Sequence, residues 1–206
     1  RNINYYISLF VLLIFRQKLV IFWGHIHGRN KFINNVRKIA ARLGHGFICY
    51  TETDAIELAK PYLTFSTKTT YLGNSLYSLD QLDEIREQLG TSINQNGNAI
   101  IYSGRLIEDK GLRQLINAYA IAKSRAKHLG KLHLIGEGHI KHELQHLANL
   151  LEITDDVKFH GEITDIPSLA TLYNESKISV CCGYVGLNAI QSFAFGTPML
   201  YTPNIK

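Results

Sequence analysis

Two cations, Arg105 and Lys110, are the residues of this chain best placed to do chemistry. They occur in Tyr102-Ser103-Gly104-Arg105-Leu106 and Lys110-Gly111, just past an apolar run at 99–102 that reads as a strand. A helix is expected to begin near Gly111. A strand end, a helix start and two cations together make a site for a diphosphate. Arg supplies a planar fork of donors and Lys a point charge, and the helix N-terminus adds unsatisfied N–H groups and a favourable dipole. The competing reading is a surface Arg and Lys paired with Glu108 and Asp109.

Other residues suggest other chemistry. His142-Glu143-Leu144-Gln145-His146 matches H-E-x-x-H, which on a helix can bind zinc with Glu as general base. At about 100° per residue, though, Ile140, Leu144, Leu147 and Leu151 share one face. The two histidines fall on the opposite side and are expected in solvent without a third ligand. Zinc proteolysis is therefore the outlying alternative. Gly136-x-Gly138 hints at a dinucleotide fingerprint, but Lys141 stands where its third glycine belongs, so it reads as a strand-to-helix turn. His25 and His27, between Gly24 and Gly28 after an apolar run, read as cleft residues whose neutral imidazoles can hydrogen-bond a ligand hydroxyl.

These groups need elements to hold them. Strands are expected at 18–23, 47–50, 99–102, 132–135, 157–159 and 178–182. Helices are expected at 29–43, from an Asp54 cap to Ala59, at 79–89 and 112–126, and in a segment ending near Phe195. The polar stretch 91–98 reads as an interdomain linker. Beyond it, strand and helix alternate in units of roughly 30 residues, the mark of parallel βαβ winding.

The ordered series 102–111, 132–138, 157–161, 178–187 and 195–198 resembles the nucleotide-sugar-binding domain of retaining GT-B glycosyltransferases, specifically glycosyltransferase family 4. The likeness is clearest over 98–198 and continues more weakly through 22–79. It implies an α/β, GT-B-like fold of two Rossmann-like domains facing a cleft. Residues 1–92 would be part of an acceptor-side domain and 93–206 part of the donor-side domain. Family members are longer, so both domains are expected to be incomplete.

The resemblance also implies roles. Arg105 and Lys110, with Gly104, would hold the diphosphate of a UDP- or GDP-linked sugar, and Val185, Gly186 and Leu187 would support it from a helix start. The family has two glutamates eight positions apart, one touching the donor sugar and one the ribose. Here Gly183 and Gln191 stand at those positions, and Gln191 can still donate to and accept from a vicinal diol. His25 would face the donor sugar from the first domain, with His27 as its alternative, and His160 would lie near the base. The implied reaction is retaining sugar transfer to a sugar or lipid-linked acceptor in surface polysaccharide or glycolipid synthesis, without metal or other cofactor. A GT-B epimerase and a non-catalytic nucleotide-sugar-binding remnant are the alternatives.

Bulk properties fit an ordinary globular protein: 46% of residues are hydrophobic and 19% charged. Charge is uneven, since no Asp or Glu precedes Glu52 while Arg1, Arg16, Lys18, Arg29, Lys31, Arg37, Lys38 and Arg42 do. Such a segment favours anionic partners, either as a solvated basic face or in peripheral contact with an anionic membrane. Nucleic acid is not expected, because no recognition motif accompanies the charge. Residues 5–15 are apolar but about half the ~20 needed to span a bilayer, so a buried helix or a shallow anchor is expected there. Cys49, Cys181 and Cys182 form no disulfide framework. A cytoplasmic location is expected, with attachment at the inner face of the membrane under the second of the two readings of the basic segment.

Overall fold

The computed structural model describes residues 21–23, 45–59, 68–73, 75–90, 97–183 and 185–202, together with residues 7, 10, 11, 14, 32 and 35. The chain divides into two compact units, Arg1–Asn74 and Ser75–Lys206.

The first unit holds β1 (Ile21–Trp23), β2 (Gly46–Cys49), α1 (Glu52–Ala59) and β3 (Lys68–Tyr71). Its strands form a parallel sheet in the order β1-β2-β3. Phe47 and Cys49 alternate inward, and burial pushes the Cys49 thiol up to about 11. Helix α1 starts earlier than its expected Asp54 cap. Thr51 is the cap instead, its Oγ1 accepting the Asp54 N–H at 3.1 Å. Ile7, Phe10, Val11 and Ile14 are helical, as expected, but exposed rather than buried. His25 and His27 lie outside the described residues.

The second unit contains α2 (Leu79–Leu89), β4 (Ala99–Ser103), α3 (Leu112–Arg125), β5 (Leu132–Ile135), α4 (Lys141–Leu150), β6 (Val157–Gly161), α5 (Ile166–Asn174), β7 (Ser176–Cys181), α6 (Leu187–Ala194) and β8 (Met199–Tyr201). All five strands are parallel, in the order β6-β5-β4-β7-β8. On one face, Leu112, Leu115, Ile116 and Tyr119 of α3 and Leu144 and Ala148 of α4 cover Tyr102, Leu132 and Leu134. On the other, Ile85 of α2, Leu169, Ala170 and Tyr173 of α5, and Phe195 cover Ile101 and Ile135. Alternate residues of β4 and β5 thus feed opposite cores, as a sheet covered on both faces requires.

Helix α2 belongs to this second unit. A Ser78–Gln81 capping box starts it, and Ile85 is fully buried in the core shared with α5. The compact units therefore divide before α2, whereas the expectation from sequence put the division at residue 92.

Strand order reverses between β4 and β7: from β4 the chain moves outward to β5 and β6, then returns to β7 on the other side. In doubly wound sheets, the carboxyl ends of the strands at such a reversal form a crevice where ligands bind.

Candidate functional site

Two adjoining hollows open at that reversal. One, of about 380 Å³, is lined by Leu76, Ser103, Arg105, Lys110, Asn188 and Gln191, with Gly104, Gly186 and Leu187 completing its rim. The other, of about 410 Å³, shares Ser103, Gly104, Arg105 and Gln191 and adds Gly136, Glu137, Glu162 and Ile163.

Arg105 reaches this place because the β4 exit is folded tightly. Gly104 has φ +153°, a conformation that glycine accommodates. The Tyr102 hydroxyl donates to the Arg105 carbonyl at 3.0 Å, tying the turn to the core. The neighbouring β5 exit packs on it, with the Leu106 N–H donating to the Glu137 carbonyl at 2.9 Å. A Cβ on Gly136 would lie 2.1 Å from the Gly104 carbonyl oxygen, and one on Gly138 2.0 Å from that of Leu106. The Gly136-x-Gly138 pair is explained by this approach of two backbones.

Lys110 closes a 3-10 turn, Glu108–Lys110, before α3. Gly111 follows in the left-handed region at φ +66°. A Cβ there would lie 3.0 Å from Cys182 Cβ, and one on Gly183 would lie 2.6 Å from the Asp109 carbonyl oxygen. The β7 exit is thereby pressed against the backbone that carries Lys110. Gly183 fills a steric role at this point and does not line the hollow, and Val185 is likewise not among its lining residues.

Neither Arg105 nor Lys110 is ion-paired with any described residue. Glu108 is instead bonded to His139 at 2.6 Å; a hydrogen bond to its own backbone and, after it, the one to His139 hold its carboxyl below the usual range. The competing reading, in which the two cations pair with Glu108 and Asp109, is therefore not what the described residues form. The smaller hollow presents two positive groups and no carboxylate.

Helix α6 brings Gly186, Leu187, Asn188 and Gln191 to the same rim. The Gly186 N–H donates to Asn188 Oδ1 at 2.9 Å, shaping the helix start. The helix is pinned from below by fully buried Ser192, whose hydroxyl meets Ser179 Oγ at 2.7 Å and the Thr197 carbonyl at 2.6 Å. Gln191 then projects across the β4 end, where its Oε1 accepts from Ser103 Oγ at 2.9 Å.

His160 is not brought to these hollows. It joins His133, the two rings 2.9 Å apart from Nδ1 to Nε2, in a separate depression of about 730 Å³ also lined by Lys131, Lys158 and Glu175. Side chains alternate across β6, which sends His160 to the face occupied by His133. The β6 exit reaches the larger hollow with Glu162 and Ile163 instead. Sequence reasoning placed Glu162 near the base only as part of the stretch with His160, and it missed Ile163, Ser103 and Asn188. Ser103 had one signal, a hydroxyl on the last residue of an otherwise apolar strand.

His142, Glu143 and His146 lie exposed on α4, while Leu144 and Ala148 are buried. Both Glu143 oxygens are taken by Arg113, which holds the carboxyl below its usual range and is the wrong direction for a general base. Among the described residues no three His, Cys, Asp or Glu side chains are arranged to hold a metal. Cys49, Cys181 and Cys182 form no disulfide among the described residues.

A family model described as "Glycosyl transferases group 1" matches residues 83–205. EpsD of Bacillus subtilis (strain 168), a protein designated a glycosyltransferase, is 32% identical over 105 residues, which are 51% of this chain and 27% of EpsD. Among solved structures, Anabaena Alr3699/HepE in complex with UDP superposes with a TM-score of 0.59 at 20% identity, covering 94% of this chain and 56% of that one. Sucrose-phosphate synthase (tll1590) from Thermosynechococcus elongatus gives 0.60 at 20% identity, covering 95% and 54%. The chain thus spans about a quarter of EpsD and about half of these two structures. At such identities the structural likeness shows the α/β, GT-B type of fold.

Proposed function

The chain belongs to the group 1 glycosyl transferases, and from that premise we propose that its second unit binds a nucleoside-diphosphate sugar as the donor of a retaining glycosyl transfer. The observation that carries this reading is the pair of cations, not ion-paired with any described residue, on one carboxylate-free hollow at the strand-order reversal. Arg105 and Lys110 hold the diphosphate. As the glycosidic bond breaks, charge grows on the leaving diphosphate oxygen, and cations already in place lower the barrier without reorganisation. The first turn of α6 adds N–H groups from Leu187 and Asn188 on the same rim. Gln191 meets the ribose, and Glu162 and Ile163 take the place near the base first given to His160. No metal is required, since protein cations neutralise the diphosphate.

The test is calorimetry on the whole chain with a panel of UDP- and GDP-sugars. Each charge-assisted contact contributes about 1.5–3 kcal/mol. Arg105→Ala and Lys110→Ala should therefore each weaken binding by roughly ten- to a hundredfold, and leave the free nucleoside unaffected. Unchanged affinity in the double variant would refute the assignment.

A second reading is binding without turnover. It is favoured by Gly183, which leaves no room for a side chain, and by the amide at Gln191. Donor consumption measured beside donor binding separates the two.

The acceptor is a sugar or a lipid-linked sugar, and the setting is surface polysaccharide or glycolipid assembly at the cytoplasmic face of the membrane. In support, Ile7, Phe10, Val11 and Ile14 recur at helical spacing and are exposed, within a segment lacking acidic residues. Among the described residues no helix is long and apolar enough to cross a bilayer. Co-sedimentation with anionic but not neutral liposomes is expected.

A further inference from the structure

Gln191 is held from below as well as exposed from above. Ser103 Oγ donates to its Oε1 at 2.9 Å. The carbonyl is thereby consumed below, and the NH2 is left for the hollow that Gln191 lines.

We propose that Ser103 is a positioning residue: by holding the Gln191 carbonyl it turns the amide N–H groups toward the hollow, where they donate to the ribose diol of the nucleotide. This rests on the nucleotide-sugar reading above. Its content is a reversal of polarity. A carboxylate at this position could only accept from a diol, whereas the clamped amide donates to it. An amide free to flip would present either end. The serine on β4 and the glutamine on α6 thus work as a pair.

The experiment compares UDP with its 2′,3′-dideoxy counterpart, with GDP and its dideoxy form as a second arm, on the whole chain by calorimetry. One neutral hydrogen bond lost corresponds to roughly a 3- to 10-fold change. The wild-type chain should favour the ribose form by at least that ratio. Ser103→Ala should lower the ratio toward one, leaving pyrophosphate affinity unchanged, and Ser103→Thr should restore it. Ser103→Cys, whose S–H is only a weak donor, should lower it in part and serves where Ser103→Ala fails to fold. In ¹⁵N spectra, the Gln191 side-chain NH2 pair, identified by its loss in Gln191→Met, should shift with UDP and stay still with pyrophosphate. A ratio unmoved by Ser103→Ala, or an NH2 pair that ignores UDP, overturns the proposal with nucleotide binding intact. Absence of UDP and GDP binding by the wild-type chain instead removes the nucleotide-sugar reading on which it stands.

Discussion

Gly183 is the position where this chain departs most from the glutamate its resemblance would lead one to expect, and the structure supplies a steric reason. A Cβ at this residue would stand 2.6 Å from the Asp109 carbonyl oxygen and 3.1 Å from Lys110 Cα. Both neighbours are backbone, so the contact cannot be relieved by rotating a side chain. Gly111 makes the reciprocal approach to Cys182, so the two loops are held together from both sides. Inserting one methyl into such packing costs about 1–3 kcal/mol. For a chain of this size that lowers the melting temperature by several degrees, at about 2–4 °C per kcal/mol. The displaced segment also carries Lys110, so Gly183→Ala should weaken UDP binding as well. Gly183→Glu should do so more strongly, and should not recover the contact a glutamate makes in the wider family. The assay is thermal unfolding paired with UDP calorimetry. Gly73→Ala is the control, because nothing lies within 4 Å of a Cβ there. A Gly183→Ala chain that melts with the wild type and binds UDP equally would show that the two loops are not packed as described.

The depression around His133 gives a pH prediction. Burial, then His160, Lys131 and Lys158, push His133 down to about 4, with Glu175 the opposing charge nearby; burial likewise lowers His160. An unfolded histidine titrates near 6.5, so the unfolded chain binds more protons below that value. Stability should hold above about pH 6.5 and fall as pH drops toward 4, by about 2–3 kcal/mol in all for His133. His133→Gln should flatten that slope in denaturant titrations at several pH values, and a wild-type chain equally stable at pH 7 and pH 4.5 would contradict it. For the H-E-x-x-H segment, the whole chain should bind no stoichiometric zinc, and His142→Ala with His146→Ala should leave UDP affinity unchanged.

The second unit was largely legible in the sequence because its strands are short apolar runs closed by glycines, and a parallel sheet buried on both faces is built from such runs. Helix α4 was legible for the opposite reason: its apolar residues keep one face, and that placed His142 and His146 in solvent before any coordinates. Arg105 and Lys110 could be located by their position after a strand and before a helix. What could not be read was set by tertiary approach. The Ser103–Gln191 bond joins residues 88 positions apart. The 2.6 Å constraint on Gly183 comes from a loop more than seventy residues earlier. His160 looked like a site residue because its neighbours matched a pattern, but strand alternation at β6 sends it to His133. Helix α5 escaped notice although Asp165 caps it, its carboxylate accepting from the Ser168 N–H at 3.0 Å. The placement of α2 was misjudged for a related reason: a charged, amphipathic helix beside a polar stretch looks like a domain end, yet Ile85, with Leu82 and Leu89 beside it, anchors it in the second core.

The structure of this chain crystallised with UDP would test the central claim most directly. The account requires the diphosphate in the smaller hollow, its oxygens within hydrogen-bond reach of both Arg105 and Lys110, at roughly 2.7–3.2 Å. A diphosphate bound elsewhere, in the depression beside His133 for example, or one contacting neither cation, would contradict it.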